Sequence, residues 1–219
     1  MEHFDKIDFI GIFESIKVNM IESKEVLIEL DAQNGDGDLG LSMTSGFIKT
    51  CEILSVLEET DLGRIFLTIS KTFNEAAPST LGTLLSIGFM GMAKAYKGKS
   101  SVNAIELSMG FEKALEAIMD KGGAKPGEKT IIDSLYPAIK TLKEEAIKNK
   151  GILEIFDAAE KAGYEGMEKT REMKSVHGRA AYYRDSSIGI LDGGAMVGML
   201  FIKGCKDYFY SKYSKGEVL

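Results

Sequence analysis

The stretch Leu30-Asp31-Ala32-Gln33-Asn34-Gly35-Asp36-Gly37-Asp38-Leu39-Gly40 sets three carboxylates within eight residues, threaded through glycines, where one long helical pattern ends and another begins. Three like charges this close repel one another by several kcal/mol at an effective dielectric of about 20, so a folded loop here needs a counter-charge. A divalent metal is the simplest supplier. The ligands are all hard oxygens with no thiol or imidazole among them, which favours magnesium or calcium over zinc. Asn34-Gly35-Asp36-Gly37 matches positions three to six of an EF-hand loop, but position one falls on Ala32 and position twelve on Met43. Two essential calcium ligands are therefore missing. Magnesium takes few protein carboxylates and completes its octahedron with water and phosphate oxygens, which suits this loop better. Taken alone, the stretch also reads as an acidic solvated turn, because Gly, Asn and Asp are what tight turns use.

Working outward from this loop, apolar residues recur three and four apart almost everywhere, as in Leu107, Phe111, Leu115 and Ile118, the periodicity of amphipathic helices. The pattern predicts helices over 4–30, 41–57, 60–74, 80–97, 101–121, 129–149, 151–173 and 190–213. No segment alternates apolar and polar residues over six or more positions, so strands are not expected. Pro78 and Pro126 fall between helical patterns, and Pro137 is expected to kink its helix. The fold class is all-α, and residues 1–219 read as one domain.

Composition narrows the function. The net charge is −6 with no basic run, which argues against nucleic-acid binding and for a soluble, acidic, cytoplasmic protein. Cys51 and Cys205 lie far apart inside apolar helical patterns and read as buried small hydrophobes. There is no basic leader followed by an apolar core, and no run approaches the roughly 18 apolar residues of a membrane span.

Glycine numbers 24 and clusters in three loops, 35–40, 122–127 and 189–194. Such loops let backbone N–H groups approach a phosphate, and a helix starting just beyond adds the positive end of its dipole. Gly122 to Asp133 contains a Gly-x-Lys-Thr stretch, but Glu128 breaks the phosphate-loop pattern and no strand precedes it. Thr130 and Asp133 are read instead as starting a helix, with Lys129 able to reach an anion. A polar loop of about fifteen residues follows His177; loops this long inside a compact domain are usually functional. Arg179 within it can clamp a phosphate with paired hydrogen bonds. His3 and His177 are the only histidines, which excludes a multi-histidine metal site.

Four separated motifs occur in order along the chain: Leu30-Asp31 with Gly35-Asp36-Gly37-Asp38, Gly40, Met43 and Gly46-Phe47; Leu81-Gly82-Thr83; Gly127-Glu128-Lys129-Thr130 with Asp133; and Gly178-Arg179-Ala180 through Ser187-Ile188-Gly189 to Asp192, Gly194 and Ala195. Together they resemble the nucleotide-binding L subunit of dihydroxyacetone kinase over essentially the whole chain. The resemblance implies a barrel of eight antiparallel amphipathic helices, with ADP or ATP held at one open end by two Mg²⁺. It implies that Asp31, Asp36 and Asp38 are the metal ligands. It puts Gly40, Ser42, Ala76, Ala77, Gly122, Ile131, Arg179, Asp192 and Gly193 on nucleotide-contacting positions, with Gly122 and Ile131 near the adenine. No catalytic residue of the chain's own is assigned, because phosphoryl transfer needs mainly positioning and charge neutralisation.

The implied partners are a separate K-type subunit that holds dihydroxyacetone or a related small keto-sugar and a phosphotransferase-system phosphoryl donor, with a homodimer left open. Several positions depart from the family pattern. Leu39 stands where the family usually has His, Ser42 where it has Asn, and Gly193 where Pro is common. The family's Gly-Ala-Ser-Gly-Pro-Leu phosphate loop is here Glu75-Ala76-Ala77-Pro78-Ser79-Thr80. That altered loop keeps a second reading in play, a nucleotide-binding adaptor that has lost transfer.

Overall fold

In a computed structural model that describes residues 2–214, apart from the Arg184 side chain, the three-and-four spacing becomes nine α-helices among the described residues. They are α1 (Lys6–Glu22), α2 (Lys24–Asn34), α3 (Leu39–Val56), α4 (Leu62–Ala76), α5 (Thr80–Ala95), α6 (Ala104–Gly122), α7 (Ile132–Ile147), α8 (Ile152–Lys169) and α9 (Gly193–Ser214). Polar side chains fix where several of them begin. Asp5 accepts from the Ile7 and Asp8 amides while Asp8 accepts from the Asp5 amide, and Asn103 and Glu106 exchange the same pair of bonds ahead of α6. Such reciprocal caps satisfy amides that have no partner inside the helix.

The structure corrects the sequence reading in three places. The helix expected over 4–30 is divided at Ser23, whose backbone (φ −94°, ψ 3°) leaves the helical region, so that α1 ends and α2 sets off in a new direction. Residues expected at the starts of two helices instead form two short strands, β1 (His3–Asp5) and β2 (Ser101–Asn103). They pair antiparallel with Phe4 opposite Val102; three residues are too few to show an alternation. The helix expected from 151 to 173 ends at Lys169, with Thr170–Glu172 continuing as a 3₁₀ turn, and Arg179–Ser187 forms a second 3₁₀ segment. Helix α7 runs unbroken through Pro137. The proline lacks the N–H that would bond the Asp133 carbonyl, and Gly166 of α8 presses against that oxygen, where a Cβ would sit at 2.1 Å.

Helices α3 to α9 each pack against the next, and α1 lies between α3 and α9, so eight helices close into a ring while α2 packs outside it on α3 and α9. The seam between α1 and α9 is antiparallel. Asp8 meets Tyr208 and Lys212, Ile16 meets Gly204, and Asn19 meets Lys203 and Asp207. This alternation has one consequence for function. The N-termini of α3, α5, α7 and α9 all reach the same end of the barrel, and the β1–β2 pair sits ahead of α1 and α6.

Phenylalanines fill the inside of the ring. Phe47 touches Phe13, Phe73 and Phe201 at centroid separations of 6.3, 4.9 and 6.2 Å, and Phe89 touches Phe13, Phe73 and Phe201 at 5.6, 5.4 and 6.2 Å. Each fully buried ring of this kind contributes about 1.5–3 kcal/mol of burial free energy, with edge-on pairing adding to it. Cys51 and Cys205 are buried free thiols, as the apolar patterns around them suggest. No helix among the described residues is long and apolar enough to cross a membrane.

Candidate functional site

The aspartate loop is built around Asp31. Its carboxylate accepts the Asp38 amide at 3.0 Å, folding the loop back on the end of α2. Gly35 is required there: a Cβ on it would lie 2.2 Å from Asp31 Oδ1, and Gly37 takes a left-handed φ of 74°. One oxygen from each of Asp31, Asp36 and Asp38 comes within 4.8 Å of the others. Burial, and after it the charges on Asp36 and Asp31, hold the Asp38 carboxyl above its usual range. Three converging carboxylates fit a hard divalent cation in donor type and spacing, and a cation relieves the repulsion that raises Asp38.

These aspartates form one wall of a cavity of about 720 Å³. The remaining lining includes the starts of three further helices, Ser79 and Thr80 at α5, Thr130 and Ile131 at α7, and Asp192 and Gly193 at α9, with Leu39 opening α3 directly after Asp38. Three positive dipole ends, those of α5, α7 and α9, therefore share one space with three carboxylates, one of which, Asp38, is the N-cap residue of α3. That arrangement takes an anion on one side and a cation on the other. Side chains already cap several of the starts. Ser79 Oγ accepts the Gly82 amide at 3.0 Å, Asp133 accepts the Thr130 and Gly127 amides at 2.7 and 2.5 Å, and Asp192 Oδ1 accepts the Ala195 amide at 2.7 Å. Thr130 and Asp133 thus set the start of α7 as their spacing suggests, three residues later than expected. Burial pushes the Asp192 carboxyl up to about 7, against the opposing pull of the Ala195 amide.

The segment between Met173 and Ile190 covers the mouth. Arg179 Nη1 lies 2.7 Å from Asp36 Oδ2, His177 Nε2 lies 2.6 Å from Glu128 Oε2, and Lys174 pairs with Asp185 within the loop. The bond to His177, supported by the Lys125 amide, holds the Glu128 carboxyl below its usual range. Ser175 is buried on the cavity wall, and its hydroxyl has no hydrogen-bond partner among the described residues. Lys129 also lines the cavity, but its ammonium is spent on the Thr170, Ser187 and Ile190 backbone carbonyls.

Of the residues singled out from sequence, Asp31, Asp36, Asp38, Ile131, Arg179, Asp192 and Gly193 line the cavity. Gly40 and Ser42 are buried within α3: a Cβ on Gly40 would lie 2.2 Å from the Lys24 carbonyl of α2, and Ser42 Oγ donates to the Leu39 carbonyl. Ala76 ends α4, and buried Ala77 accepts the Ser79 amide. Gly122 ends α6 against Leu84, itself a wall residue. The wall also includes Ser79, Thr80 and Thr83, three further hydroxyl-bearing residues. Ser175 was not singled out, and nothing in its local sequence signals it. Only the return of the loop over the mouth buries it.

A family model described as the DAK2 domain matches residues 33–207. The chain belongs to the DAK2 domain family. This DAK2 domain is 30% identical over 179 residues to the ADP-binding subunit DhaL of the PEP-dependent dihydroxyacetone kinase of Escherichia coli, covering 82% of this chain and 85% of that one. It is 33% identical to the ADP-binding subunit DhaL of a PEP-dependent dihydroxyacetone kinase of Listeria innocua, covering 80% and 82%. Among solved structures it resembles the dihydroxyacetone kinase of C. freundii in its native form, with a TM-score of 0.71, 25% identity and coverage of 90% of this chain. The same kinase in complex with AMP-PNP and Mg²⁺ gives a TM-score of 0.70 at 25% identity over 90% of this chain. The DAK2 domain spans about a third, 34%, of the C. freundii chain. The helical barrel expected from the resemblance is the fold observed.

Proposed function

We propose that this chain is the nucleotide-binding subunit of a dihydroxyacetone kinase-type phosphotransferase. In this reading it holds ADP or ATP through Mg²⁺ and passes a phosphoryl group to dihydroxyacetone, or a related small keto-sugar, on a separate K-type subunit. The observation that carries this reading is the cavity that Asp31, Asp36 and Asp38 share with the N-termini of α5, α7 and α9. A nucleotide bearing metal-bound phosphates matches both walls at once. The kinship supports it: the E. coli and L. innocua relatives are ADP-binding subunits, and the C. freundii kinase has been solved with AMP-PNP and Mg²⁺.

Asp31, Asp36 and Asp38 would hold the magnesium, two ions in our reading, which would supply positive charge to neutralise the phosphates. The rest is done by this chain's own groups. Arg179 is placed to neutralise phosphate oxygens at the mouth, the amides at the starts of α5, α7 and α9 to orient them, and the loop over Ser175 to exclude water. Ile131 and Gly122 are read as lying near the adenine, and Asp192 and Gly193 as the backbone platform for the ribose and phosphate end. Ser42, Gly40, Ala76 and Ala77 act in this reading by setting the backbone that carries the contacts. The PEP- and PTS-dependent names of the DhaL relatives support a phosphotransferase-system protein as the donor. A ring that recruits helices from both ends of the described chain supports reading 1–219 as one domain.

The test is a thermal-shift titration of nucleotide-stripped protein with Mg²⁺, ADP and ATP, singly and combined, followed by a transfer assay with a K-type partner. Stabilisation that needs metal and nucleotide together, with phosphorylation of dihydroxyacetone, is the expected result. Absence of any joint shift overturns the reading. Binding without transfer converts it to the adaptor reading, in which the substituted Glu75–Thr80 loop has cost transfer.

A further inference from the structure

Lys129 stands out on the cavity wall because its backbone is unfavourable and its side chain is committed elsewhere. It has a φ of 60°, left-handed for a residue with a Cβ, a conformation that costs about 1 kcal/mol or more unless the surroundings hold it. It is only 4% exposed. Its Nζ donates to the carbonyls of Ile190, Ser187 and Thr170 at 2.6, 2.7 and 2.8 Å, with the Met173 carbonyl at 3.3 Å as a fourth. An ammonium has three protons, so the three short bonds use them all. None is left for a phosphate.

Those four carbonyls lie on the two sides of the neck of the loop that covers the mouth. Thr170 and Met173 come before it, and Ser187 and Ile190 after it. Other bonds cross the same neck: the Gly189 amide to the Arg171 carbonyl at 2.7 Å, the Ser175 amide to Ser187 Oγ at 3.0 Å, and the Asp192 amide to Thr170 Oγ1 at 3.1 Å. Thr170, Arg171 and Asp192 adjoin the loop in sequence, whereas Lys129 reaches the neck from a distant part of the chain, the turn before α7. Its sequence neighbour Glu128 holds the loop again through His177. Burial works against the lysine's charge and Asp192 acts in its favour.

We propose that Lys129 is a positioning residue for nucleotide binding, tying the neck of the 173–190 loop so that the loop presents Arg179 and Ser175 to the cavity, without touching the phosphates itself. The tie stands on these contacts alone, and its effect on affinity rests on the nucleotide reading above.

The variants are Lys129→Met, Lys129→Gln, which keeps two donors, and Lys129→Arg, which keeps charge and donors. Amide hydrogen exchange is read first, without nucleotide. In Lys129→Met, exchange over 171–190 speeds up by about tenfold or more while α3 and α9 stay within about twofold, with Gln intermediate and Arg near wild type. Dissociation constants for Mg-ADP are read second. Lys129→Met weakens binding about tenfold or more, and adding Arg179→Ala to it costs less than about twofold further, whereas Arg179→Ala alone costs its full amount. Metal affinity, followed with Mn²⁺ alone, changes little in every variant. Unchanged exchange in the loop, exchange rising equally across all helices, or strictly additive losses with Arg179→Ala would each overturn the proposal. Should Lys129→Met fail to fold, the order of Gln and Arg decides the same questions. A wild type that binds no nucleotide sinks the functional reading, while the exchange comparison still decides the tie.

Discussion

Arg179 Nη1 lies 2.7 Å from Asp36 Oδ2, so the loop over the cavity mouth touches the carboxylate cluster directly. Both side chains are largely open to water, at 66% and 43% exposure, and a pair of that kind contributes no more than about 1 kcal/mol to folding. Its importance lies in geometry. It puts a guanidinium beside the carboxylates, where metal-bound phosphates belong in our reading.

Arg179→Ala is accordingly expected to leave the melting temperature of the nucleotide-free protein within a few degrees of wild type and to weaken Mg-ADP binding by about 1.5–3 kcal/mol, the scale of charge-assisted hydrogen bonds. Isothermal titration calorimetry checks it. Unchanged affinity would remove Arg179 from the site.

Asp36→Ala removes one of three converging ligands and is expected to abolish the joint stabilisation by metal and nucleotide. In wild type that stabilisation reaches about 2.7 kcal/mol when ligand is at a hundred times its dissociation constant. The ligand-free variant should melt no lower than wild type, because a repelling charge is gone. A full joint shift in the variant would take Asp36 out of metal binding.

Asp192 carries a pH dependence whose sign follows from its burial. Its carboxyl is pushed from 3.8 up to about 7 in the folded protein, so between those values the folded state holds a proton that the unfolded chain has released. Stability therefore falls as pH rises through that window and levels off above about 7, by no more than about 4 kcal/mol in total. Asp192→Asn keeps an oxygen for the Ala195 amide and should flatten the slope between pH 4 and 7. Urea midpoints of both proteins across this range decide it; equal slopes would mean that Asp192 ionises normally.

Ser175→Ala removes a buried hydroxyl that has no hydrogen-bond partner among the described residues. Melting should stay level or rise slightly, since an unsatisfied polar group is unfavourable. If the hydroxyl meets the nucleotide, Mg-ADP affinity falls by about 0.5–1.5 kcal/mol. A variant with wild-type affinity would show that the hydroxyl makes no contact with the nucleotide.

Much of this molecule follows from the order of its residues. The three-and-four spacing sets the helices, and the acidic Gly-rich stretch from Asp31 to Asp38 brings three carboxylates together in one loop. The break at Ser23 and the strand pair at His3–Asp5 and Ser101–Asn103 were not legible. Ser23 continues a helical pattern on both sides, and three paired residues are too short to alternate. Lys129 shows the same limit within the site. Its neighbours in sequence suggest a phosphate-binding lysine, while its protons go to carbonyls 41 to 61 residues away.

By itself, then, the sequence determined the helices, the apolar faces that close them into a ring, and the local cluster of carboxylates, because these depend on residues within a few turns of one another. Tertiary structure decided what surrounds that cluster. Only the closure of an antiparallel ring brings four helix starts to one end, sets Arg179 against Asp36, buries the Ser175 hydroxyl and turns Lys129 inward. Each of those contacts joins residues far apart in the chain, and its energy exists only once the intervening helices have packed.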